Sequence, residues 1–333
     1  MKVFIKAITY HLPENVLTNE KIAGEFPEWT VEKIDKKIGI KQRRVTSEGE
    51  TASDLSVGAA EKLFAEHDID RSIVDYLIFV TQSPDYHLPT TACIIQTRLD
   101  LPQRLTAIDV NLGCNGFVAG LSLAKAVIIA GQAKNVLLLT GETYSKYLHK
   151  RDKSNLTIFG DGAAATLVTT EGIAEVGEFV IGTDGTGADN LIVKTGCARH
   201  PLPANDLKFD DFGNPHSSDN LFMDGPAILN YSLESIPQIV EDVLVKNNVI
   251  MEEIDLHVYH QANIFLANLE RRKLRIPQER YYCNIENVGN TVSSTIPIAL
   301  RMALNDETLK PGMKVLSVAQ GLGYTWGGMV LFF

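Results

Sequence analysis

One stretch of this chain occurs twice. Residues 59–83, AAEKLFAEHDIDRSIVDYLIFVTQS, read as an amphipathic helix, a loop and an apolar strand ending at Thr81-Gln82. Residues 239–262, IVEDVLVKNNVIMEEIDLHVYHQA, repeat that order and end at His260-Gln261. Downstream the correspondence continues. The first copy reaches NLGC at 111–114, then the apolar helix GFVAGLSLAKAVIIAGQ and the strand NVLLLTG. The second reaches NVGN at 287–290, then TVSSTIPIALRMAL and the strand KVLSVAQG. From Thr81 to Cys114 is 33 residues, and from His260 to Asn290 is 30. The period is far too long for a solenoid. It predicts an α/β chain of two duplicated halves, 1–172 and 173–333, with mixed sheets and helices in layers.

Duplication implies a pseudo-twofold axis, near which corresponding strand ends meet. Here those ends carry Cys114, His260 and Asn290. Cys114 follows the strand RLTAIDVN and precedes a helix, where unpaired N–H groups and the helix dipole favour a thiolate. Gly113 and Gly116 are expected to permit a sharp turn and leave room for a substrate carbonyl. Taken alone, the thiol is either a nucleophile or a small buried apolar group. His260 alone reads equally as a hydrogen-bonded strand-end residue, and Asn290 as a turn or cap. Brought to one seam, the three suit acyl transfer through a cysteine.

Composition narrows the field. At 333 residues the chain exceeds one small core, and its net charge of −10 argues against binding nucleic acid. Four scattered cysteines, Cys93, Cys114, Cys197 and Cys283, form no CxxC pair, which argues against a zinc site or a disulfide framework. No apolar run reaches the ~18 residues that span a bilayer, and MKVFIKAITYHLPENV lacks the apolar core of a secretory signal. The expectation is a cytoplasmic protein that contacts neither membrane nor nucleic acid.

The segments DVNLGCNGF, IFGDGAAATL, YHQAN, NVGNTVSSTIPIAL and GLGYTWGG, in that order, resemble the thiolase-fold condensing enzymes, most of all the β-ketoacyl-acyl-carrier-protein synthase III family. The resemblance covers essentially the whole chain. It implies a thiolase-like fold in which Cys114 takes an acyl group from acyl-CoA. His260 and Asn290 would then promote decarboxylation of a malonyl thioester carried by acyl-carrier protein. It implies an oxyanion hole formed by the N–H groups of Cys114 and Gly323, a homodimer with YHLPTTACIIQTRL at its interface, and no metal or organic cofactor.

Departures from the family pattern bear on substrate binding. Lys37 stands where the family has an arginine, with Trp29 eight residues upstream instead of four. Lys153 matches a second arginine, and Phe265 a third. The resemblance implies CoA or carrier contacts at Lys37, Lys153, Asn263, Arg272 and Lys273, the last two docking an acidic carrier protein. Leu88 replaces a family phenylalanine that bounds the acyl pocket. The polar segment 198–220 is expected to form a loop over the entrance. Cys93, Cys197 and Cys283 are read as structural.

A second reading keeps Cys114 as acyl carrier but passes the acyl group to an alcohol or amine. The presence of both His260 and Asn290 favours condensation, because an enolate oxygen needs such donors. A non-decarboxylating thiolase would carry a second cysteine in GLGYTWGG, which has none. A hydroxymethylglutaryl-CoA synthase would need a matching general-acid glutamate. A non-catalytic ketosynthase partner would lack Cys114.

Overall fold

The computed structural model describes residues 1–211 and 213–333. Strand β1 (Phe4–His11) leads to an excursion in which the short antiparallel pair β2 (Val16–Thr18) and β3 (Gln42–Arg44) brackets two helices, α1 (Asn19–Glu25) and α2 (Val31–Lys37). Thr18 and Thr30 cap these helices by accepting the N–H groups of Lys21 and Lys33. Helix α3 (Ala52–Glu66) starts on a reciprocal capping box between Thr51 and Asp54. Strand β4 (Tyr76–Val80) is buried throughout. Helix α4 (Thr91–Arg98) has its first two N–H groups held by the Asp109 carboxylate of β5 (Thr106–Val110), at 2.6 and 2.8 Å. Helix α5 (Gly116–Ile129), β6 (Val136–Glu142), the single-turn α6 (Lys153–Leu156) and β7 (Gly162–Thr169) complete the first copy.

The second copy opens on β8 (Ala174–Thr183). Four two-residue strands follow, β9 (Leu191–Ile192), β10 (Lys208–Phe209), β11 (Pro215–His216) and β12 (Phe222–Met223), pairing β9 with β12 and β10 with β11. Next come α7 (Gly225–Lys246), β13 (Leu256–His257), α8 (Ile264–Lys273), α9 (Thr295–Asn305), β14 (Lys314–Gly321) and β15 (Thr325–Phe332).

The main sheet has nine strands in the order β13-β14-β15-β8-β1-β7-β6-β4-β5. It is the same ladder read outward twice. From β1 the neighbours are β7, β6 and β4, paired antiparallel, antiparallel and parallel. From β8 they are β15, β14 and β13, with the same three senses. The copies join where Phe4 pairs with Glu175 and Ile5 with Ala174. A boundary at 172/173 falls in the turn between β7 and β8, inside one continuous sheet.

Alternation along the strands sorts the side chains into layers. Ile78, Val80 and Leu138 face a core shared by α5 (Phe117, Val118, Leu121) and α9 (Ile296, Ala299, Leu300). Leu77, Phe79, Leu137 and Leu139 face α3 and α4 on the other side. In the second copy Leu316, Val318 and Val330 face α7 and α8. Both central helices are buried along most of their length because each has sheet on more than one side.

Polar groups register the two copies against each other. The Glu142 carboxyl, closed to solvent at the end of β6, accepts hydrogen bonds from the Gln82 N–H (3.0 Å), the Ser83 hydroxyl (3.1 Å) and, across the seam, the Ser293 hydroxyl (2.9 Å). Nearby, Thr140 and Ser294 share a hydroxyl contact of 2.9 Å. The FGDG segment has a structural role. Asp161 is buried and accepts from the Thr46 N–H and hydroxyl and from the Ser145 N–H. Gly160 donates its N–H to the Asn290 carbonyl at 3.0 Å, and the Asn290 N–H bonds Ile158 O at 2.9 Å.

Glu142→Ala would leave two hydroxyls and one N–H without an acceptor inside the protein. It is expected to lower unfolding stability by about 3 kcal/mol in denaturant titrations. A loss below about 1 kcal/mol would contradict the registering role assigned to this group.

Candidate active site

Strand β5 ends at Val110 and α5 starts at Gly116, so Cys114 lies just outside the helix N-terminus. Its N–H has no hydrogen-bond partner among the described residues. The flanking glycines serve close packing, since neither has a positive φ. A Cβ on Gly116 would lie 2.5 Å from Val80 Cγ1 and 3.1 Å from Ser293 Cβ, and one on Gly113 would lie 2.5 Å from Gln82 Oε1. Small residues there let the nucleophile's turn nest between β4 and the second copy. Burial, and then the nearby Glu142 carboxyl, push the Cys114 thiol up to about 12. The resting thiol therefore keeps its proton at neutral pH. Lying outside the first turn, it gains too little from the helix end to offset the apolar wall formed with Tyr144, Val292 and Leu322.

His260 follows β13, and its N–H bonds Val318 O at 2.8 Å. Burial lowers its imidazole pKa to about 4, so the ring is neutral at pH 7. Nδ1 lies 2.8 Å from the Thr295 hydroxyl, which also lies 3.2 Å from Val292 O. When that hydroxyl donates to Nδ1, the ring hydrogen sits on Nε2. When it donates to Val292 O instead, it accepts Nδ1–H. Thr295 thus accommodates both tautomers, while Nε2 has no partner among the described residues. Asn290 is buried, and its Oδ1 accepts the Val292 N–H at 2.8 Å. That bond assigns the amide orientation and leaves the Nδ2 hydrogens as donors without a protein partner among the described residues.

Cys114, His260 and Asn290 line one cavity of about 250 Å³. Gly321, Leu322 and Tyr324 of the C-terminal loop line it too, and Gly323 does not. A Cβ on Gly321 would lie 3.3 Å from Cys114 Cβ. The Leu322 N–H has no hydrogen-bond partner among the described residues. The Gly323 N–H, expected from sequence as the donor, also has no partner among the described residues, but of the two residues only Leu322 lines the cavity.

The substrate-contact residues divide into two groups. Lys37, Asn263 and Phe265 line the cavity. Asn263 is also the N-cap of α8, accepting the Leu266 N–H at 2.8 Å. Trp29 belongs with Lys37 after all. Trp29 lies just before α2, and the Lys33 and Lys37 ammonium groups, one helical turn apart, lie 5.2 and 5.6 Å from its ring centroid. Lys153, by contrast, is buried, does not line the cavity and is ion-paired at 2.7 Å with Glu28, the residue before Trp29. Arg272 and Lys273 are exposed in the last turn of α8 and do not line the cavity.

Leu88 lines no described cavity and is 81% exposed. Its neighbours Tyr86 and His87 line a second cavity that shares Tyr144, Leu191 and Leu322 with the first. None of the described residues of 198–220 lines the Cys114 cavity. That segment is a surface hairpin, tied by Asp219 to the Ala204 and Asn205 N–H groups. Cys93 and Cys197 are exposed, not packed, whereas Cys283 is half-buried. Glu142 and Thr295 were missed in the sequence. Glu142 ends the strand NVLLLTGE and Thr295 begins α9, and only the seam shows that either touches the site.

Residues 108–185 match the family described as 3-oxoacyl-[acyl-carrier-protein] synthase III, and residues 244–333 match its C-terminal part. The chain is 34% identical over 322 residues to β-ketoacyl-[acyl-carrier-protein] synthase III of Clostridium perfringens, covering 96% of each protein. It is 33% identical over 328 residues to that of Nitratidesulfovibrio vulgaris, covering 97% of this chain and 96% of the relative. A crystal structure of a 3-oxoacyl-(acyl-carrier-protein) synthase III superposes with a TM-score of 0.97 at 46% identity, covering all of both chains. The 3-oxoacyl-(acyl-carrier-protein) synthase of Burkholderia xenovorans LB400 superposes with a TM-score of 0.90 at 34% identity, covering 100% of this chain and 94% of that one. A thiolase-like α/β fold, a half-buried thiol in one cavity with two unpaired donors and this likeness agree: the chain belongs to the β-ketoacyl-acyl-carrier-protein synthase III family of acyl-transferring condensing enzymes.

Proposed function

We propose that this enzyme loads an acyl group from acyl-CoA onto Cys114 and extends it with a malonyl thioester carried by acyl-carrier protein, serving fatty acid biosynthesis. The observation that carries this reading is that His260 Nε2 and Asn290 Nδ2, both without protein partners among the described residues, line the cavity of the Cys114 thiol.

In the first half-reaction the Cys114 sulfur attacks the acyl-CoA carbonyl. A carbon–sulfur bond to CoA breaks as one to Cys114 forms, and the thiol proton leaves with CoA as its free thiol. Developing charge on the carbonyl oxygen is met by the Cys114 N–H and the Leu322 N–H. In the second, the malonyl thioester loses CO2 and the electron pair passes into an enolate. The His260 Nε2–H and the Asn290 amide donate to its oxygen. A neutral imidazole suits this step, since it can donate without carrying a buried charge. The enolate carbon attacks the acyl-Cys114 carbonyl. Collapse releases the β-ketoacyl thioester, and the Cys114 sulfur takes up one proton. Neither half-reaction, so proposed, draws on a metal or organic cofactor.

Trp29 and Lys37 at the mouth suit the adenine and phosphates of CoA, one by stacking and one by charge. Arg272 and Lys273, on the helix whose other end lines the cavity, suit an acidic carrier protein. Exposed Tyr86 and Leu88 beside the second cavity suit a homodimer in which each chain helps to close its partner's acyl pocket. No helix among the described residues is long and apolar enough to cross a membrane. We place the enzyme in the cytoplasm.

Three measurements test this reading. With acyl-CoA alone, wild-type enzyme gains the acyl mass on the Cys114 peptide and Cys114→Ala does not. His260→Ala and Asn290→Ala still acylate but lose at least about 100-fold in CO2 release and β-ketoacyl product. Acylation of wild type without CO2 on adding malonyl-acyl-carrier protein would instead support transfer to an alcohol or amine. In the free enzyme the thiol titrates near 12, so its alkylation by iodoacetamide should still be climbing at pH 10. A plateau below pH 8 would contradict that placement. Finally, Arg272→Glu with Lys273→Glu should raise KM for malonyl-acyl-carrier protein about tenfold and leave KM for acyl-CoA within about twofold.

A further inference from the structure

The cavity that holds Cys114 has a polar end the proposed reaction does not use. Ser232 of α7, Glu270 of α8 and Gln320 of β14 line it together with Tyr231. Glu270 is 5% exposed, and its Oε1 lies 2.6 Å from the Ser232 hydroxyl. The same hydroxyl lies 2.7 Å from Gln320 Oε1. The Gln320 amide is held in that orientation because its Nε2 donates to the Ser235 hydroxyl at 2.6 Å and to Ser232 O at 3.3 Å. Two acceptors thus share one hydroxyl hydrogen. The hydrogen count closes when Glu270 is protonated and donates to Ser232 Oγ, which then donates to Gln320 Oε1. Burial pushes the Glu270 carboxyl up to about 7, in keeping with that count. No described residue hydrogen-bonds Oε2 of Glu270 or forms an ion pair with it, and the Tyr231 hydroxyl is buried without a partner. Protonated in this way Glu270 carries no charge, and its Oε2 and the Tyr231 hydroxyl are left as polar atoms of the cavity wall for a bound group to satisfy.

The position of this cluster points to one of the two substrates. Gln320 directly precedes Gly321, the residue packed on Cys114 Cβ, so the inner end of the cluster is close to the reacting atoms. Its walls, Tyr259 and Val318, are the residues from which His260 is held. The polar end therefore opens from the His260 side. The second cavity opens from Tyr144, Leu191 and Leu322 beside Cys114 and leaves room there for the chain carried on the thiol.

We propose that Glu270, Ser232 and Gln320 form a subsite that selects, on a malonyl-type extender, a substituent that donates a hydrogen bond, either a hydroxyl or an amine. The inference rests on the condensing reading and names its second substrate.

The test loads Cys114 with one acyl primer and then supplies malonyl, methylmalonyl, hydroxymalonyl or aminomalonyl groups on acyl-carrier protein, following product mass in single turnover. The hydroxyl and amino extenders should exceed methylmalonyl, their near-isostere, by about tenfold. Glu270→Gln keeps an acceptor but no charge, so it should keep the hydroxyl preference and lose the amino one. Glu270→Leu and Ser232→Ala should each bring both ratios close to one. Equal rates for hydroxymalonyl and methylmalonyl in wild type would overturn the proposal, as would ratios unmoved in both of the last two variants. A uniform loss with all four extenders would also overturn it, because the cluster would then be reading the arm they share. No product from any of the four extenders in wild type would instead overturn the condensing reading.

Discussion

A carboxyl group without solvent access sits where the two copies of the repeat meet. Glu142 collects a backbone N–H and a hydroxyl from the segment after β4 and a hydroxyl from the loop leading into α9. One of those segments borders the nucleophile and the other follows Asn290, so the reacting groups inherit their spacing from this contact. Burial raises the Glu142 carboxyl to about 8, which shows how poorly the surroundings tolerate its charge. Three donors offset part of that cost, and their convergence gives the seam a unique register where apolar packing alone would allow sliding.

Much of this was legible because duplication is a strong constraint. Matching one copy's strand ends to the other's put Cys114, His260 and Asn290 at one place, and the ladder around β1 and β8 repeats in the same sense on both sides. Other residues were illegible for specific reasons. Trp29 and Lys37 looked too far apart in sequence, yet a helix beginning at Val31 stacks every fourth residue on one side of the ring. Lys153 offers a charge in sequence, but not the Glu28 that holds it in place. Gly323 was expected from the glycine-rich C-terminal loop of the family, whereas the cavity is lined by Gly321, where β14 ends, and by Leu322. Ser232, Glu270 and Gln320 are dispersed over the chain, and no local pattern joins them.

The site's resting charge state follows from the same enclosure. A thiol pushed up by burial and an imidazole pulled down by it both rest neutral, so the empty cavity holds no ion pair between them. In the proposed reaction charge appears only as bonds change, and the unpaired His260 and Asn290 donors are the groups that would meet it. Thr295 suits this arrangement because a single hydroxyl can face either nitrogen state of His260 without moving.

The joint between the copies is narrow. Seven register pairs tie β1 to β7, and seven tie β15 to β8, but only two tie β1 to β8. A sheet resists bending where many rungs bridge it and yields where few do. What the sheet does not fasten, the helices and loops do: the shared α5–α9 core, the Glu142–Ser293 contact and the two backbone bonds between Asn290 and residues 158 and 160 hold Cys114 of one copy against His260 and Asn290 of the other. The inherited symmetry thus leaves the middle of the site fastened by side chains and loops more than by the sheet.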